Sequence, residues 1–536
     1  MNTKTIFNSV SLILSTLTST QIDSTEVSQN KPNFIFFIID DMQPYHFNCL
    51  PEGKGLNLTP NIDRLAAEGT VMYGQHVSSS VCTPSRYSCL TGQYASRAKN
   101  EMFMKSIGKG EVTNVGWNTF ILPDTITLPK LLKAHGYTTG AVGKNHVVEC
   151  NEWVKLPYNS NPRDPKIKEQ LDKNKIALRN AFNRVGFDFA ERLYHHNPES
   201  NGPKELAVHN QDWITEGALN FIDQNAEKPF FLYFATSIPH GPGEAKRSWN
   251  ADPLATADGI LAKAPNVQPP RSSIPKRLKD AGIQQNDGRA NILWLDDAIG
   301  AILKKLEEKK ILNKTIIFFF TDHGQKSKGT VYQGGVSCPS IIWKEGGFPC
   351  GKKNNGLISN IDFTPTILDM AGIDPSMYNF DGKSFLPLLN GEKKEIHDSL
   401  YFEIGYTRAI RMGNWKYIAL RYPEYAEKMT LEERRKILED FNKKQKEYDK
   451  RWFTDDPSQP FSHVSLIPGG GGAEHASMEQ YPAYYDKDQL YDLSKDPNEQ
   501  NNLANNEQYA AKLAEMKDKL KSILSKLPGK FAEFQK

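Results

Sequence analysis

The sequence predicts an α/β fold: a large, mostly parallel sheet sandwiched by helices, followed by a smaller C-terminal α+β domain containing an antiparallel sheet. Three observations lead there. Phe34–Ile39, Phe230–Ala235 and Thr315–Phe320 are unbroken apolar runs, the pattern of strands covered on both faces rather than one. Amphipathic helical stretches separate them, and alternating strand and helix builds a doubly wound layered domain. After Asp381–Leu389 the character changes, and Tyr401–Glu403 and Trp415–Leu420 read as short antiparallel strands.

Taken in chain order, Lys4 and the short, Ser/Thr-diluted apolar run Ile6–Leu17 read as a secretory signal over residues 1–22. The run is too short and polar to span a bilayer, so the expectation is a secreted or periplasmic protein with no stable membrane insertion. A catalytic domain is expected over residues 31–395 and the second domain over residues 396–536, because 536 residues exceed one ordinary core. Thr59-Pro60 opens a helix through Ile62, Leu65 and Ala66 to Gly69. Ile292, Leu295, Ile299, Ile302 and Leu306 form one stripe on a helix over 291–306. Thr430-Leu431-Glu432-Glu433 is a capping box opening a charged helix, with Leu431, Leu438, Phe441, Tyr448 and Trp452 as its apolar stripe. Gly469–Gly472 reads as a loop, and the last 30 residues or so as a Lys/Glu-rich helix.

Each apolar run ends in reactive residues: Asp40-Asp41, Pro239-His240 and Asp322-His323-Gly324. Open α/β sheets bind ligands at the carboxyl edge of their strands, where such loops converge. Any one ending is compatible with an ordinary turn; three with complementary chemistry predict a site.

Composition narrows the classes. Hydrophobic residues make up 38% and charged residues 24% of the chain, the balance of a water-soluble globular protein. Lys and Arg total 66 against 63 acidic residues, a net charge of +3, which excludes a general nucleic-acid binder but permits a local anion pocket. Six cysteines at 49, 82, 89, 150, 338 and 350 are too scattered for a disulfide framework. Cys338 with Cys350 is the pair expected if any closes a loop.

Cys82-Thr83-Pro84-Ser85-Arg86, followed by Leu90-Thr91-Gly92, is the most informative stretch. On its own it reads equally as a buried small cysteine beside a proline turn or as a modified residue. It resembles the signature of the type I, formylglycine-dependent sulfatases of the alkaline phosphatase superfamily. The likeness extends from about residue 32 to 505: Pro32–Asp41, Thr59–Gly69, Gly136-Tyr137-Thr138-Thr139 through Gly143-Lys144-Asn145-His146, Pro239-His240 with Pro242, Thr321–Gly324 with Lys328–Val336, and Leu490–Leu493 with Asp496-Pro497 and Asn502-Leu503. Asn145 departs from the tryptophan of many relatives, as does Val147-Val148-Glu149 from the usual continuation.

The resemblance implies an alkaline-phosphatase-like fold and a sulfuric ester hydrolase. It implies that Cys82 is oxidised to formylglycine (3-oxoalanine) by a formylglycine-generating or anaerobic sulfatase-maturating enzyme. It also implies that Asp40, Asp41, modified Cys82, Asp322 and His323 hold Ca²⁺, with Mg²⁺ as the alternative. Carboxylate oxygens suit such hard cations; His323 is the atypical member, with a hydrogen bond to sulfate as its other role. Lys144 and Lys328 would clamp the sulfate oxygens, with Lys326 the fallback for Lys328, and Arg86 would hold the hydrated aldehyde. One diol oxygen attacks sulfur while His240, with Lys328, protonates the departing alcohol; His146 then takes the second hydroxyl's proton and sulfate leaves. Histidine suits both transfers because it titrates near neutrality.

A sulfated oligo- or polysaccharide is the expected substrate, with Tyr194-His195-His196, Arg408, Arg411, His463 and His475 as candidate sugar contacts. Two other readings stay open at this point: a phosphate or phosphonate ester hydrolase of the same superfamily, and a non-catalytic sulfoglycan-binding protein.

Overall fold

A computed structural model describes residues 31–108, 112–200, 202–447 and 480–535. The strands of its large sheet are β1 (Asn33–Asp40), β2 (Thr70–Met72), β3 (Thr138–Lys144), β4 (Phe189–Tyr194), β5 (Phe230–Pro239), β6 (Thr315–Thr321), β7 (Ser340–Trp343) and β8 (Lys353–Asn354). They lie in the order β8-β2-β7-β6-β1-β5-β3-β4. Only β7 runs against its neighbours β2 and β6; the other pairings are parallel.

Every residue of β1 is buried, and its side chains divide with period two between the faces of the sheet. Phe34, Phe36 and Ile38 join one core; Ile35, Phe37 and Ile39 join the other. Phe36 meets Phe320 and Phe231 edge-on at 5.1 and 5.3 Å between ring centroids, the geometry that aromatic quadrupoles favour. Helix α1 (Pro60–Glu68), α3 (Gln211–Asn225) and α4 (Asp287–Glu308) cover the second face through Ile62, Trp213 and Ile299. Helix α2 (Cys82–Thr91) covers the first through Tyr87 and Leu90. An unbroken apolar run is therefore what a strand between two helical layers requires.

Helix α4 begins before the stretch read from its apolar stripe, because the Asn286 side chain accepts from the Arg289 amide and caps the first turn. Thr430 and Glu433 do form the reciprocal cap expected at Leu431–Glu447. Leu431, however, is 53% exposed while Leu438 is buried: a first-turn position faces solvent here, so the stripe begins later than read. Tyr448, Trp452, Gly469–Gly472, His463, His475 and residues 1–22 lie outside the described residues. All six cysteines are free thiols. Cys338 and Cys350 belong to different packed clusters, so the pairing read from sequence does not form.

Strands β9 (Leu400–Ile404), β10 (Thr407–Met412), β11 (Trp415–Leu420) and β12 (Asp488–Asp492) make a four-stranded antiparallel sheet in chain order. Helix Ala510–Leu524 packs on it through Met516, Leu520 and Leu524. Among the bonds that join this unit to segments leading into the large sheet's loops, Glu403 N donates to Ser78 O at 2.9 Å, and Ser327 Oγ lies 2.5 Å from Tyr481 Oη. Among the described residues no helix is long and apolar enough to cross a membrane.

Candidate active site

Parallel register brings three strand ends to one edge. Asp40 stands opposite Pro239 of β5, and Ile39 opposite Thr321 of β6, so the residues that follow converge beside Asp40 and Asp41. Lys144 ends β3 on the same edge, and Cys82 opens α2. The turns are tight: Asp41 and His146 adopt φ of 62° and 54°, a left-handed region uncommon for residues with a Cβ. Gly143 has φ of 91°, and a Cβ there would lie 1.8 Å from Ala235 O, so β3 approaches β5 this closely only with glycine before Lys144.

The Asn145 side chain explains how the turn at His146 is held. Its Oδ1 accepts from the amides of Val147 and Val148 at 3.2 and 2.7 Å, and its Nδ2 donates to Val148 O. These local bonds replace backbone partners that the turn forfeits. Asn145→Ala should lower stability by about 1–3 kcal/mol by leaving buried amides unpaired, and turnover by roughly tenfold through loss of His146 alignment. Urea unfolding and steady-state kinetics measure the two effects.

The sulfur of Cys82 lies 3.4 Å from His323 Nε2, 3.6 Å from Asp40 Oδ1 and 3.7 Å from Lys144 Nζ. Lys144 also pairs with Asp40 Oδ2. Arg86, fully buried, donates to Asp322 Oδ2 from Nε at 3.2 Å and from Nη2 at 3.0 Å. Lys328 donates to both oxygens of Asp41 at 2.8 and 3.0 Å. Lys326, by contrast, is exposed, so of the two lysines only Lys328 reaches this cluster.

These charges set one another. Burial pushes Asp40 up, but Lys144, His240 and Arg86 outweigh it and hold the carboxyl well below its usual range. Burial acts the same way on Asp41, overcome by Lys328 and the two histidines. His323 would lose its proton to burial, yet Asp322 chiefly drives it up to about 10. His146 goes the other way: burial, then Lys144 and His196, keep it neutral. Its Nδ1 is buried with no hydrogen-bond partner among the described residues. His240 Nδ1 donates to Gly241 O at 2.7 Å, which leaves Nε2 facing the cluster, 3.3 Å from Asn197 Nδ2 and 3.6 Å from Asp41 Oδ2.

The donor set fits a hard divalent cation. Ligand atoms from Asp40, Cys82, Asp322 and His323 all lie within 4.8 Å of one another, and the carboxylates of Asp40, Asp41 and Asp322 supply buried oxygen. A cation held there would displace the proton of His323.

Sequence reasoning missed several supporting residues. The amide nitrogen of Gln325 reaches both Asp41 oxygens at 3.2 Å, and Asn360 donates to Ser85 O and Oγ at 3.0 and 2.9 Å. Tyr233 accepts from Arg86. The candidate sugar contacts separate. Tyr194 is buried and donates to Val208 O. His195 stacks on Trp153 at 4.3 Å, and His196 meets His146 edge-on at 5.1 Å. Arg408 is buried and spends its guanidinium on the carbonyls of Gly405, Thr407 and Thr113, a packing role; Arg411 is half-buried.

Comparison with known proteins gives the same assignment. A family model described as Sulfatase matches residues 32–373, and one for the N-sulphoglucosamine sulphohydrolase C-terminal region matches residues 321–457. An ulvan-active sulfatase of Formosa agariphila is 25% identical over 511 residues, spanning 91% of this chain and 74% of that protein. The N-acetylgalactosamine-6-sulfatase of Mus musculus is 28% identical over 425 residues, spanning 72% and 71%. The fold is shared with a solved sulfatase from Pseudoalteromonas sp., with a TM-score of 0.53, 19% identity and coverage of 94% and 92%. Another solved structure, in complex with its substrate D-glucosamine-2-N,6-O-disulfate, gives 0.53, 19%, 92% and 98%. With most of its length matched by the family model and its reactive strand ends gathered at one edge, the chain belongs to the sulfatase family of the alkaline phosphatase superfamily and is a sulfuric ester hydrolase.

Proposed function

We propose that the protein hydrolyses sulfate esters of a sulfated carbohydrate, with Cys82 converted to formylglycine and Ca²⁺ bound by Asp40, Asp41, Asp322 and His323. The observation that carries this reading is the position of Cys82, whose sulfur touches His323, Asp40 and Lys144 inside one buried cage. Once formed, the hydrated aldehyde at residue 82 would supply the nucleophilic oxygen, and a cation held by Asp40, Asp41, Asp322 and His323 would supply positive charge to offset the negative charge that develops in the reaction.

The chain's own groups do the rest. Lys144 and Lys328 neutralise the sulfate oxygens, as mobile ammonium groups can once the cation shares Asp40 and Asp41. Arg86, held by Asp322 and Tyr233, fixes the charge beneath residue 82. His240, in its doubly protonated form, delivers the Nε2 proton to the leaving oxygen and keeps Nδ1–H committed to Gly241 O. His146, kept neutral by burial, accepts the proton of the second hydroxyl. The alcohol side is a sugar by kinship with relatives named for ulvan and N-acetylgalactosamine 6-sulfate. Export is supported by the pattern of residues 1–22. Cys82 is 1% exposed, so a maturating enzyme would reach it before folding is complete.

Mass spectrometry of the tryptic peptide containing Cys82, from the native host, tests the nucleophile: an aldehyde in place of the thiol is expected, and an intact thiol in active protein overturns it. Turnover of 4-nitrophenyl sulfate should exceed that of 4-nitrophenyl phosphate. Dialysis against a chelator should cut sulfate ester turnover by about 100-fold or more, since one metal charge stabilises the transition state by several kcal/mol. Ca²⁺ should restore it, with Mg²⁺ less effective.

A further inference from the structure

Beyond the catalytic cluster, the cleft between the Gly391–Glu395 loop, the start of β8 and the β10–β11 turn is strongly cationic. It has a volume of about 510 Å³ and is lined by Lys353, Lys393, Lys394 and Arg411, against the single carboxylate of Glu395. Among the described residues none of the four is in an ion pair with a carboxylate. Lys393 and Lys394 are exposed; the amine of Lys353 turns toward the ring of Tyr73, 5.7 Å from its centroid, on the side of a neighbouring pocket, so the charge of the cleft rests on Lys393, Lys394 and Arg411.

Arg411 is the anchored member. His76, buried at the end of the segment that leads to Cys82, has Nδ1 2.9 Å from Gly74 O and Nε2 2.9 Å from Arg411 Nη1. A carbonyl on one side and a guanidinium on the other leave one arrangement, in which Nδ1 donates and Nε2 accepts. Arg411 Nε donates to Gly413 O at 2.9 Å. The guanidinium is thus fixed by neutral acceptors, with Nη2 left for a ligand. A held, half-buried guanidinium with no carboxylate in direct contact among the described residues, on which Glu499 acts only at a distance, is suited to an anionic group that accepts two hydrogen bonds. The amides of Asn355 and Asn414 on the rim add donors and acceptors of the kind that sugar hydroxyls need.

Position gives the cleft its meaning. Strand β8 lies four steps from β1 across the sheet, about 19 Å at the usual spacing of ~4.8 Å per strand. Both strands point the same way, so Asn355 and Gly356, just past the end of β8, open along the edge that carries Asp40 and Asp322. We propose that this cleft is a second anion site, which holds a sulfated stretch of the same polysaccharide chain whose ester is cleaved at residue 82. The choice of a sulfated glycan as occupant rests on the sulfatase reading; the cationic cleft does not.

The test is the double variant Lys393→Glu/Lys394→Glu in the full chain, two exposed positions at which folding should survive and a melting temperature equal to the parent's verifies it. Affinity electrophoresis would use dextran sulfate, neutral dextran and a single-stranded oligodeoxynucleotide of matched charge as probes. The expected result is at least tenfold weaker binding of dextran sulfate by the variant, no retention of dextran by either protein, and weaker binding of the oligonucleotide than of dextran sulfate by the parent. Equal dextran sulfate binding by parent and variant would overturn the site. An oligonucleotide bound by the parent as tightly as dextran sulfate would overturn the glycan assignment. Matured parent that fails to hydrolyse 4-nitrophenyl sulfate, yet binds dextran sulfate through these lysines, would overturn the hydrolase reading and leave the cleft standing.

Discussion

Replacing Cys82 with alanine should reduce sulfate ester turnover by at least about 10⁴-fold while leaving the melting temperature within about 2 °C of the parent. The loss corresponds to roughly 5.5 kcal/mol of transition-state stabilisation. The two effects separate because the substitution deletes one sulfur atom from a position 1% exposed at the first turn of α2. Alanine keeps the helix and improves its intrinsic propensity, and the ion pairs of Lys144 with Asp40 and Arg86 with Asp322 remain. What disappears is the side chain that the proposed reaction converts into its nucleophile. Cys89 provides the contrast. It is equally buried, with its thiol donating to Arg86 O at 3.4 Å, so Cys89→Ala should cost stability and spare turnover. Retention by Cys82→Ala of more than about 1% of the activity of the matured parent would place the nucleophile elsewhere.

Much of this centre was legible because a parallel sheet couples local pattern to global position. Once Phe34–Ile39, Phe230–Ala235 and Thr315–Phe320 are read as neighbouring buried strands, Asp40, His240 and Asp322 must meet at one edge. The reversal of β7 and the two-residue edge strand β8 were not legible, since short strands carry too little periodicity. Gln325, Asn197 and Asn360 were invisible for another reason: a polar side chain announces no target until the fold supplies one. Arg408 and Arg411 show the limit of reading residues by type. Three positions apart on β10, they point to opposite faces, one into packed carbonyls and the other into the cationic cleft. The Asn145 departure from tryptophan proves to be a turn device, because its amide closes bonds only two and three residues away.

The larger stability effect is expected where the two sheets meet. Lys416 of β11 and Glu499 form an ion pair at 2.7 Å with both side chains at most 1% exposed. Glu499 also accepts from the Gln333 amide at 2.6 Å, at the end of the loop that carries His323 and Lys328. Lys416→Met would fill the space but strand a carboxylate that burial already pushes up in pKa, against Lys416 and the Gln333 amide. Removing one partner of such a pair costs about 3–5 kcal/mol, whereas removing both is close to neutral. Lys416→Met should therefore lower the urea midpoint sharply, and adding Glu499→Gln should recover most of it, because glutamine keeps an oxygen for Gln333. Acidity gives a second signature. Burial brings Lys416 from 10.5 down to about 8 in the fold, despite Glu499, so between those values the unfolded chain binds more protons than the native one. Linkage then makes the parent gain stability as pH rises through that window, and Lys416→Met should lack the gain. A single variant as stable as the parent, or a double variant no better than the single, would show that the pair does not hold the C-terminal sheet to the catalytic loop.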